Sequence, residues 1–234
     1  MNQPRHAADS ISTKPSRTAT RAAKTYWVKA TCALFLIFLS LPINAQERLT
    51  PFEQGEKWGY RNAGGKVAIQ PHFSLAHEFS PEGIAAVVDE KGWAYIDAQG
   101  NILIRPFIVD NGPDYFQDGL ARFVELGKFG FFNQRGHVVI HPHFDFAAPF
   151  SEGLAAYCMG CQMKAEGEYR LMEGGKWGYM DQKGERVIGP RFEAAQKFAS
   201  GKARVKLEGR WIFIDEKGKS IMDKNKKPGL LPRE

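Results

Sequence analysis

Aromatic residues two positions apart recur along the chain and predict short β-strands. In Lys176-Trp177-Gly178-Tyr179, the two rings would point to one face of an extended strand, while the glycine faces the other. The other pairs with this spacing are Trp58/Tyr60, Trp93/Tyr95, Phe129/Phe131 and Trp211/Phe213. The steps from pair to pair are 35, 36, 48 and 34 residues, which predicts a repeat protein with an insertion before its fourth pair.

Each aromatic pair is followed by a turn of one formula. An Asn or Asp comes first, as at Asp181, and a glycine follows three positions later, as at Gly184. The Asx side chain can bond the backbone two residues on, and the glycine can adopt the left-handed conformation that closes a hairpin. These turns begin at Asn62, Asp97, Asn133, Asp181 and Asp215. Their fixed place predicts turn caps rather than a catalytic carboxylate pair.

A second strand and a connecting segment complete each predicted unit. In the fourth unit, Val187-Ile188 is a short apolar strand, and we expect it to end at Pro190 because proline cannot donate to a sheet ladder. Phe192, Ala195 and Phe198 are spaced by three, which predicts a single helical turn. A glycine then begins the next strand.

The predicted fold class is all-β, with five tandem three-stranded antiparallel meanders stacked in an open solenoid-like array. A propeller-like closure is the alternative. The expected units are 47–82, 83–118, 119–152, 153–200 with an insertion at 158–174, and 201–222. One such meander cannot bury both of its aromatic residues, whereas stacked neighbours can. All ten residues of the aromatic pairs are therefore expected in the repeat core.

The Lys-Trp-Gly-Tyr pattern, followed by the apolar-turn-apolar-Pro-x-Phe run, resembles the WG-repeat (KWG-repeat) family of bacterial proteins over about residues 47–222. The resemblance implies a β-repeat module that binds or scaffolds, and it supplies no catalytic residues. Ala94 and Ile212 replace the glycine of the motif, and Phe129 replaces its tryptophan. An identical ligand site in every unit is therefore not expected.

The N-terminal segment has the features of a signal peptide. A basic, polar stretch precedes an apolar run at 32–41, which is long enough for a signal sequence and short for a membrane span. We expect cleavage between Ala45 and Gln46, a periplasmic or secreted mature protein, and no membrane span after processing. An anchor formed by an uncleaved segment is the alternative. Residues 223–234 form a basic tail.

The net charge of +6 is concentrated before the cleavage site. Residues 1–45 hold six of the 32 basic side chains and one of the 26 acidic ones, which leaves a net charge of +1 for the remainder. The expected folded part therefore shows no overall charge that would favour nucleic acid as a partner.

Cys158 and Cys161 lie in the insertion and remain after cleavage. A disulfide that pins an exposed loop is the favoured interpretation, because an exported protein meets an oxidising compartment. Two alternatives stay open. One is a zinc site with His141 and His143, and the other is a redox-active Cys-x-x-Cys motif.

The sequence carries no recognisable nucleophile, phosphate-loop or metalloprotease motif. The predicted function is thus that of an exported, non-enzymatic binding or scaffold protein of the bacterial envelope, without a cofactor. Its partner would be a protein or an envelope polymer. The alternatives are an accessory protein with a metal- or redox-responsive Cys158/Cys161 loop and, less favoured, a hydrolase of envelope polymers.

Overall fold

The computed structural model describes residues 48–166 and 169–221, with side chains described except within 165–171. The expected signal peptide, its cleavage site at Ala45 and Gln46, and the tail at 223–234 lie outside these residues. The regular secondary structure of the described residues consists entirely of β-strands, which confirms the all-β prediction. No helix there has the length and apolar character that crossing a membrane requires.

The first half of the described chain forms two sheets and a small hairpin. Sheet 1 contains β1 (Thr50–Gln54), β2 (Lys57–Arg61) and β3 (Val67–Phe73). Sheet 2 contains β4 (Leu75–Ala76), β5 (Ala85–Asp89), β6 (Gly92–Ile96) and β7 (Ile102–Ile104). The hairpin pairs β8 (Ile108–Val109) with β9 (Gly112–Pro113).

Three further sheets follow in chain order. Sheet 3 contains β10 (Leu120–Glu125), β11 (Lys128–Asn133) and β12 (Val138–Phe144). Sheet 4 contains β13 (Phe146–Ala147), β14 (Leu154–Glu166), β15 (Tyr169–Asp181) and β16 (Arg186–Phe192). Sheet 5 contains β17 (Ala194–Ala195), β18 (Ala203–Leu207), β19 (Arg210–Ile214) and β20 (Ser220–Ile221). Each strand pairs antiparallel with the next one in its sheet, so the meander prediction is confirmed.

The turns that follow the aromatic strands are held by their first side chain. Asp181 Oδ1 accepts hydrogen bonds from the backbone N–H groups of Lys183 and Glu185, each at 2.9 Å. Asp97, Asn133 and Asp215 make the same pair of bonds in their own turns. The closing glycine has positive φ, as at Gly184 (φ 84°). The prediction that Asp97, Asp181 and Asp215 cap their turns is thus confirmed.

The third strand of a sheet does not end at its proline, contrary to the sequence-based expectation. β16 continues through Pro190 to Phe192, and β3 and β12 likewise continue through Pro71 and Pro142. The register explains this, because Tyr179 pairs with Ile188 whereas Trp177 pairs with Phe192, which leaves the proline within a bulge. A bulge accommodates proline because its residues do not all need to donate to the ladder.

The connecting segments are extended, so the predicted helical turn is wrong. Ala194–Ala195 forms β17 and pairs with β18, with Ala194 opposite Lys206 and Ala195 opposite Val205. β4 and β13 pair in the same way with β5 and β14. The spacing of three has another cause. The ring at the end of the segment packs on the preceding sheet, as Phe198 packs edge-on against Tyr179 with 4.8 Å between ring centroids.

Consecutive sheets stack face to face and bury an apolar layer between each pair. In every sheet, one face carries the aromatic pair; we call it the forward face, and in sheets 1 to 4 it packs on the next sheet. Between sheets 4 and 5, Trp177 and Tyr179 pack in one cluster with Val205 and Ile214. The other layers are formed by Tyr60 and Phe73 with Val87 and Ile96, by Tyr95 and Ile104 with Phe123 and Phe132, and by Phe129 and Phe131 with Tyr157 and Met180. The array is therefore solenoid-like, as the sequence predicted.

Acidic side chains in the loops also join consecutive sheets. The Asp118 carboxylate accepts a hydrogen bond from the N–H of Gly153 at 2.8 Å. The Glu152 carboxylate accepts hydrogen bonds from the N–H groups of Ser200 at 2.6 Å and Gly201 at 2.9 Å. Each carboxylate thus bonds the corresponding loop of the following sheet.

The expected core residues are not buried equally. Tyr60, Phe129, Phe131, Trp177 and Tyr179 are buried. Trp58, Trp93 and Tyr95 are half-buried, and the Trp93 indole N–H donates to the carbonyl of Asn111 at 2.9 Å. Trp211 and Phe213 are 42% and 43% exposed, so their assignment to the core is wrong. The reason is their position on the forward face of sheet 5, where the described chain has no following sheet.

Candidate functional site

The insertion of the fourth unit extends a hairpin of sheet 4. β14 and β15 have 13 residues each, whereas the corresponding strands of the other sheets have five or six. Residues 154–159 pair with 176–181 as in the other sheets, and residues 161–166 pair with 169–174 beyond them. The predicted exposed loop is therefore a β-ribbon, because the inserted residues continue the ladder of the strands that carry them.

A glycine bulge separates the repeat from its extension. Gly160, Gly174 and Gly175 have φ of 77°, 73° and 63°, values that favour glycine. A Cβ at Gly175 would lie 2.5 Å from the Cys161 nitrogen and 2.6 Å from the Met159 oxygen. The close backbone approach at this bulge requires a residue without a side chain.

A disulfide bond joins Cys158 and Cys161 across the bulge, with their Cα atoms 6.1 Å apart. Cys158 is fully buried on the forward face, opposite Trp177 in the neighbouring strand. Cys161 is also buried and lies where the extension begins. The bond fixes the start of the ribbon against the repeat.

The structure does not bring the candidate zinc ligands together as a metal site. His141 and His143 are exposed on β12, and a His143 ring nitrogen lies 2.7 Å from the carbonyl oxygen of His141. The sulfur atoms of Cys158 and Cys161 are bonded to each other and so are not thiolate ligands. In the described ranges, no group of three or more His, Cys, Asp or Glu side chains is arranged to hold a metal ion. In the described structure, His141, His143, Cys158 and Cys161 therefore do not form the zinc site that the sequence left open.

A groove of about 360 Å³ lies between the start of the ribbon and sheet 3. Phe107 and Phe129 line it together with Val124, Cys161 and Met163, and Asp145 and Gly127 complete the lining. Phe129 packs against Phe107 and Phe146, each with ring centroids 5.1 Å apart, and Phe146 packs against Trp177 at 5.6 Å. The groove thus rests on a continuous row of aromatic rings that leads into the repeat core.

One carboxylate at the groove links the ribbon to sheet 3. Asp145 bonds the ammonium group of Lys128 on β11 and accepts the N–H of Gly160 at 2.5 Å. The hydrogen bond from Lys128 is the main cause that lowers the pKa of Asp145 below its ordinary value. Asp145 is thus ionised at neutral pH and positions the glycine bulge.

A buried ion pair supports the groove at Phe107. Arg122 donates to the Asp114 carboxylate from two guanidinium nitrogens, each at 2.8 Å, and to the carbonyl of Ala147 at 3.1 Å. The Arg122 guanidinium lies over the Phe107 ring at 4.9 Å from its centroid. The charged groups of this pair are hydrogen-bonded, and the guanidinium contacts one of the rings that line the groove.

The groove offers apolar contacts and one paired carboxylate, which suits binding. Of its lining residues, the sequence singled out Phe129 as a core ring and Cys161 as a disulfide candidate, but it did not identify a groove, although one further signal was present. Leu126 stands at the turn before Lys128, where the matching turn of sheet 5 has Glu208; both residues have φ near 50°. An apolar residue in an exposed turn indicates a binding surface only together with other exposed apolar residues, here Val124 and Met163.

Comparison with known families places the repeats along most of the described chain. The model of the WG containing repeat matches residues 58–93, 93–129, 129–160 and 177–211. No curated protein matches the chain. Residues 161–176, which include most of the ribbon, fall between the third and fourth matches. This family is a repeat domain rather than a known enzyme family, and the chain belongs to it: it is a protein built from WG-containing repeats.

Proposed function

We propose that this chain is an exported, non-enzymatic protein that binds a partner protein in the bacterial envelope through the disulfide-anchored ribbon and its groove. The observation that carries the proposal is a set of exposed apolar side chains around the groove. The lining residues Met163 and Val124 are 44% and 39% exposed, and Leu126, next to the lining residue Gly127, is 97% exposed. Repeat stacking leaves these side chains on the surface, where an apolar cluster beside a groove favours association.

The location of the groove also supports a specialised role. The ribbon that forms one wall lies outside the segments matched by the repeat family, so it is a feature of this chain rather than of the repeat. The opposite wall is the β10–β11 turn of sheet 3, which presents Leu126. A partner that contacts both walls would bury apolar surface at Leu126 and Met163.

The chemistry of the groove favours binding over catalysis. Its volume suits an apolar side chain of a partner, and its aromatic floor is rigid because it continues into the core. Among the residues that line it, the acid Asp145 is committed to Lys128 and Gly160. A general acid–base mechanism would instead need a group free to exchange a proton with a substrate.

Binding at the groove is tested with a photo-crosslinking amino acid placed at Leu126 in the native host. The matched control carries it at Val187 on β16, which is 47% exposed and does not line the groove. We expect a discrete protein adduct from Leu126, absent from Val187 and reduced when Met163→Asp is added. Equal adducts at both positions, or none at Leu126, would contradict the proposed site.

Export is supported by the apolar run at 32–41 and by a disulfide, which persists in oxidising compartments. The intact mass of the protein from the envelope fraction of its host tests this. We expect a chain that begins at Gln46 and lacks two hydrogens relative to the free thiols. A chain that retains residues 1–45 with both thiols free would overturn the exported state.

A redox-responsive function is a second candidate, favoured by the position of Cys161 on the groove wall. Reduction would release the start of the ribbon from the buried Cys158. The crosslinking yield at Leu126 should then fall when dithiothreitol is present, while a Cys158→Ala/Cys161→Ala variant gives one yield in both conditions. Equal yields for the unmodified protein with and without reductant would exclude this function.

A further inference from the structure

The forward face of sheet 5 differs from every other forward face in the described chain. In sheets 1 to 4 this face packs on the following sheet, whereas here Trp211 and Phe213 are 42% and 43% exposed. The residues that surround the two rings on this face therefore also belong to the surface of the protein.

Three cations occupy alternate positions along β18 and the residue that precedes it, on this face. Lys202, Arg204 and Lys206 are two residues apart, so their side chains share one face of the sheet. The register places Arg204 opposite Phe213 and Lys206 opposite Trp211, which identifies that face as the forward one. The corresponding residues of sheet 4 are Leu154, Ala156 and Cys158, all buried.

The aromatic rings hold two of these cations in place. The guanidinium of Arg204 lies 4.8 Å from the centroid of the Trp211 ring, and the ammonium of Lys202 lies 5.3 Å from that of Phe213. Such cation–π contacts orient a charge without satisfying its N–H donors. The carboxylate beside the third cation is Glu193, 3.9 Å from the Lys206 ammonium.

The spacing of the cations favours an extended ligand. Alternate residues of a strand are separated by about 7 Å, so the three charges form a row rather than a pocket around one ion. The row lies on the same sheet face as the Trp211 and Phe213 rings, and two of its cations contact those rings. A linear polymer with several negative charges could meet all three cations, while its sugar rings contact the exposed edges of Trp211 and Phe213.

We propose that the forward face of sheet 5 binds a linear, carboxylate-bearing polysaccharide. This partner fits the exported state on which the inference rests, and it uses a surface separate from the groove beside the ribbon. Nucleic acid is less suited because the chain after residue 45 has a net charge of only +1, so its positive charge is local.

Binding is measured with the purified mature chain, residues 46–234, and polygalacturonate as the probe, by calorimetry at low and moderate salt. Dextran is the neutral control, and single-stranded DNA and anionic phospholipid vesicles test the other polyanion classes. We expect saturable binding to polygalacturonate that weakens with salt, no binding to dextran, and weaker binding to DNA and vesicles.

The site is tested with Arg204→Gln/Lys206→Gln against the matched pair Lys183→Gln/Lys217→Gln, which removes the same charge from exposed turns. The first variant should lose at least about tenfold in affinity and the second less than about twofold, with urea midpoints confirming that both fold. Equal losses would assign binding to net charge alone. Tighter binding of DNA or vesicles would overturn the assignment of a polysaccharide as the ligand. If no probe binds, the proposed binding site on this face is refuted.

These outcomes are independent of those for the proposed function. A chain that binds polygalacturonate yet is not exported would refute the localisation without refuting the site. A chain that is exported but does not bind polygalacturonate would refute only the proposed polysaccharide site.

Discussion

At the scale of single residues, the Trp-Gly pair is explained by the path of the third strand. The bulged strand passes over the glycine, so that a Cβ at Gly130 would lie 2.6 Å from the Ile140 oxygen and 2.9 Å from the Pro142 nitrogen. Gly59 and Gly178 lie under the same part of their own third strands. In sheet 2, Ala94 holds this position, and β7 ends at Ile104 before its proline. The glycine is therefore needed where the third strand continues over it.

Replacement of this glycine should destabilise the fold through steric overlap. Gly130→Ala is expected to cost about 1–3 kcal/mol in free energy of unfolding, since backbone atoms must shift to admit the methyl group. Gly189→Ala is the matched control, because a Cβ there meets no atom within 4 Å. Its effect should stay within about 0.5 kcal/mol. Urea unfolding measures both, and equal costs would show that the overlap at Gly130 is relieved without strain.

Buried tyrosines should make stability depend on alkaline pH. Tyr60 and Tyr179 donate hydrogen bonds to the carbonyls of His77 and Gln196, each at 2.7 Å, and burial raises the pKa of both phenols above the ordinary 10.0. The folded state thus keeps protons that the unfolded state releases. Their stabilising contribution is complete below about pH 10 and is lost as pH rises toward the folded-state pKa.

The measurement is urea unfolding from roughly pH 9 to pH 11. Above pH 10 each buried tyrosine should lower the free energy of unfolding by up to about 1.4 kcal/mol per pH unit. The variant Tyr60→Phe/Tyr179→Phe starts less stable, by about 1 kcal/mol per lost hydrogen bond, and should show a shallower decline. A decline of the same slope in both proteins would assign the alkaline transition to other groups.

At the scale of elements, the ribbon of β14 and β15 behaves as an addition to a complete repeat. Met159 and Lys176 are the last pair before the bulge, and Gly160 and Gly175 both have positive φ. Two residues of positive φ between paired strands are what a type I′ hairpin turn requires. The structure thus contains a ready turn at the place where other repeats close their hairpin.

Deletion of residues 161–174 should leave a folded protein, because Met159-Gly160-Gly175-Lys176 would close the shortened hairpin. The cost is expected at about 2–4 kcal/mol, from the disulfide and from contacts of Cys161 and Met172 with the core. Circular dichroism and urea unfolding measure it, and loss of cooperative unfolding would show that the ribbon is required for the fold. Crosslinking at Leu126 should be lost in the same variant.

At the scale of the whole molecule, the tryptophan of the repeat motif is buried in one sheet and exposed in another, so its contribution to stability differs along the array. Trp177 lies between two sheets and is buried, while Trp211 lies at the end of the described array and is exposed. Its interactions there include the guanidinium of Arg204. The same sequence signal thus contributes to the core in one sheet and to a surface in another.

Alanine substitutions should separate the two positions. Trp177→Ala is expected to cost roughly 3–5 kcal/mol, as truncations of buried tryptophan do. Trp211→Ala should cost about 1 kcal/mol or less, because it removes an exposed ring and one cation–π contact. Equilibrium unfolding with fluorescence and circular dichroism measures both. A loss at Trp211 as large as that at Trp177 would indicate that the forward face of sheet 5 is covered in solution.

The sequence by itself determined the local structure and the repeat. Aromatic spacing specified the strands, since side chains alternate across a strand, and the Asx-to-glycine formula specified the turns, since both residues act within five positions of each other. The stacked order also followed, because a single meander cannot bury its aromatic face. The tertiary structure alone decided which residues become surface, because exposure of Trp211 depends on a neighbouring sheet and the groove brings Phe107, which precedes β8, together with Met163 of sheet 4. Contacts between residues so distant in sequence have no local pattern from which to read them.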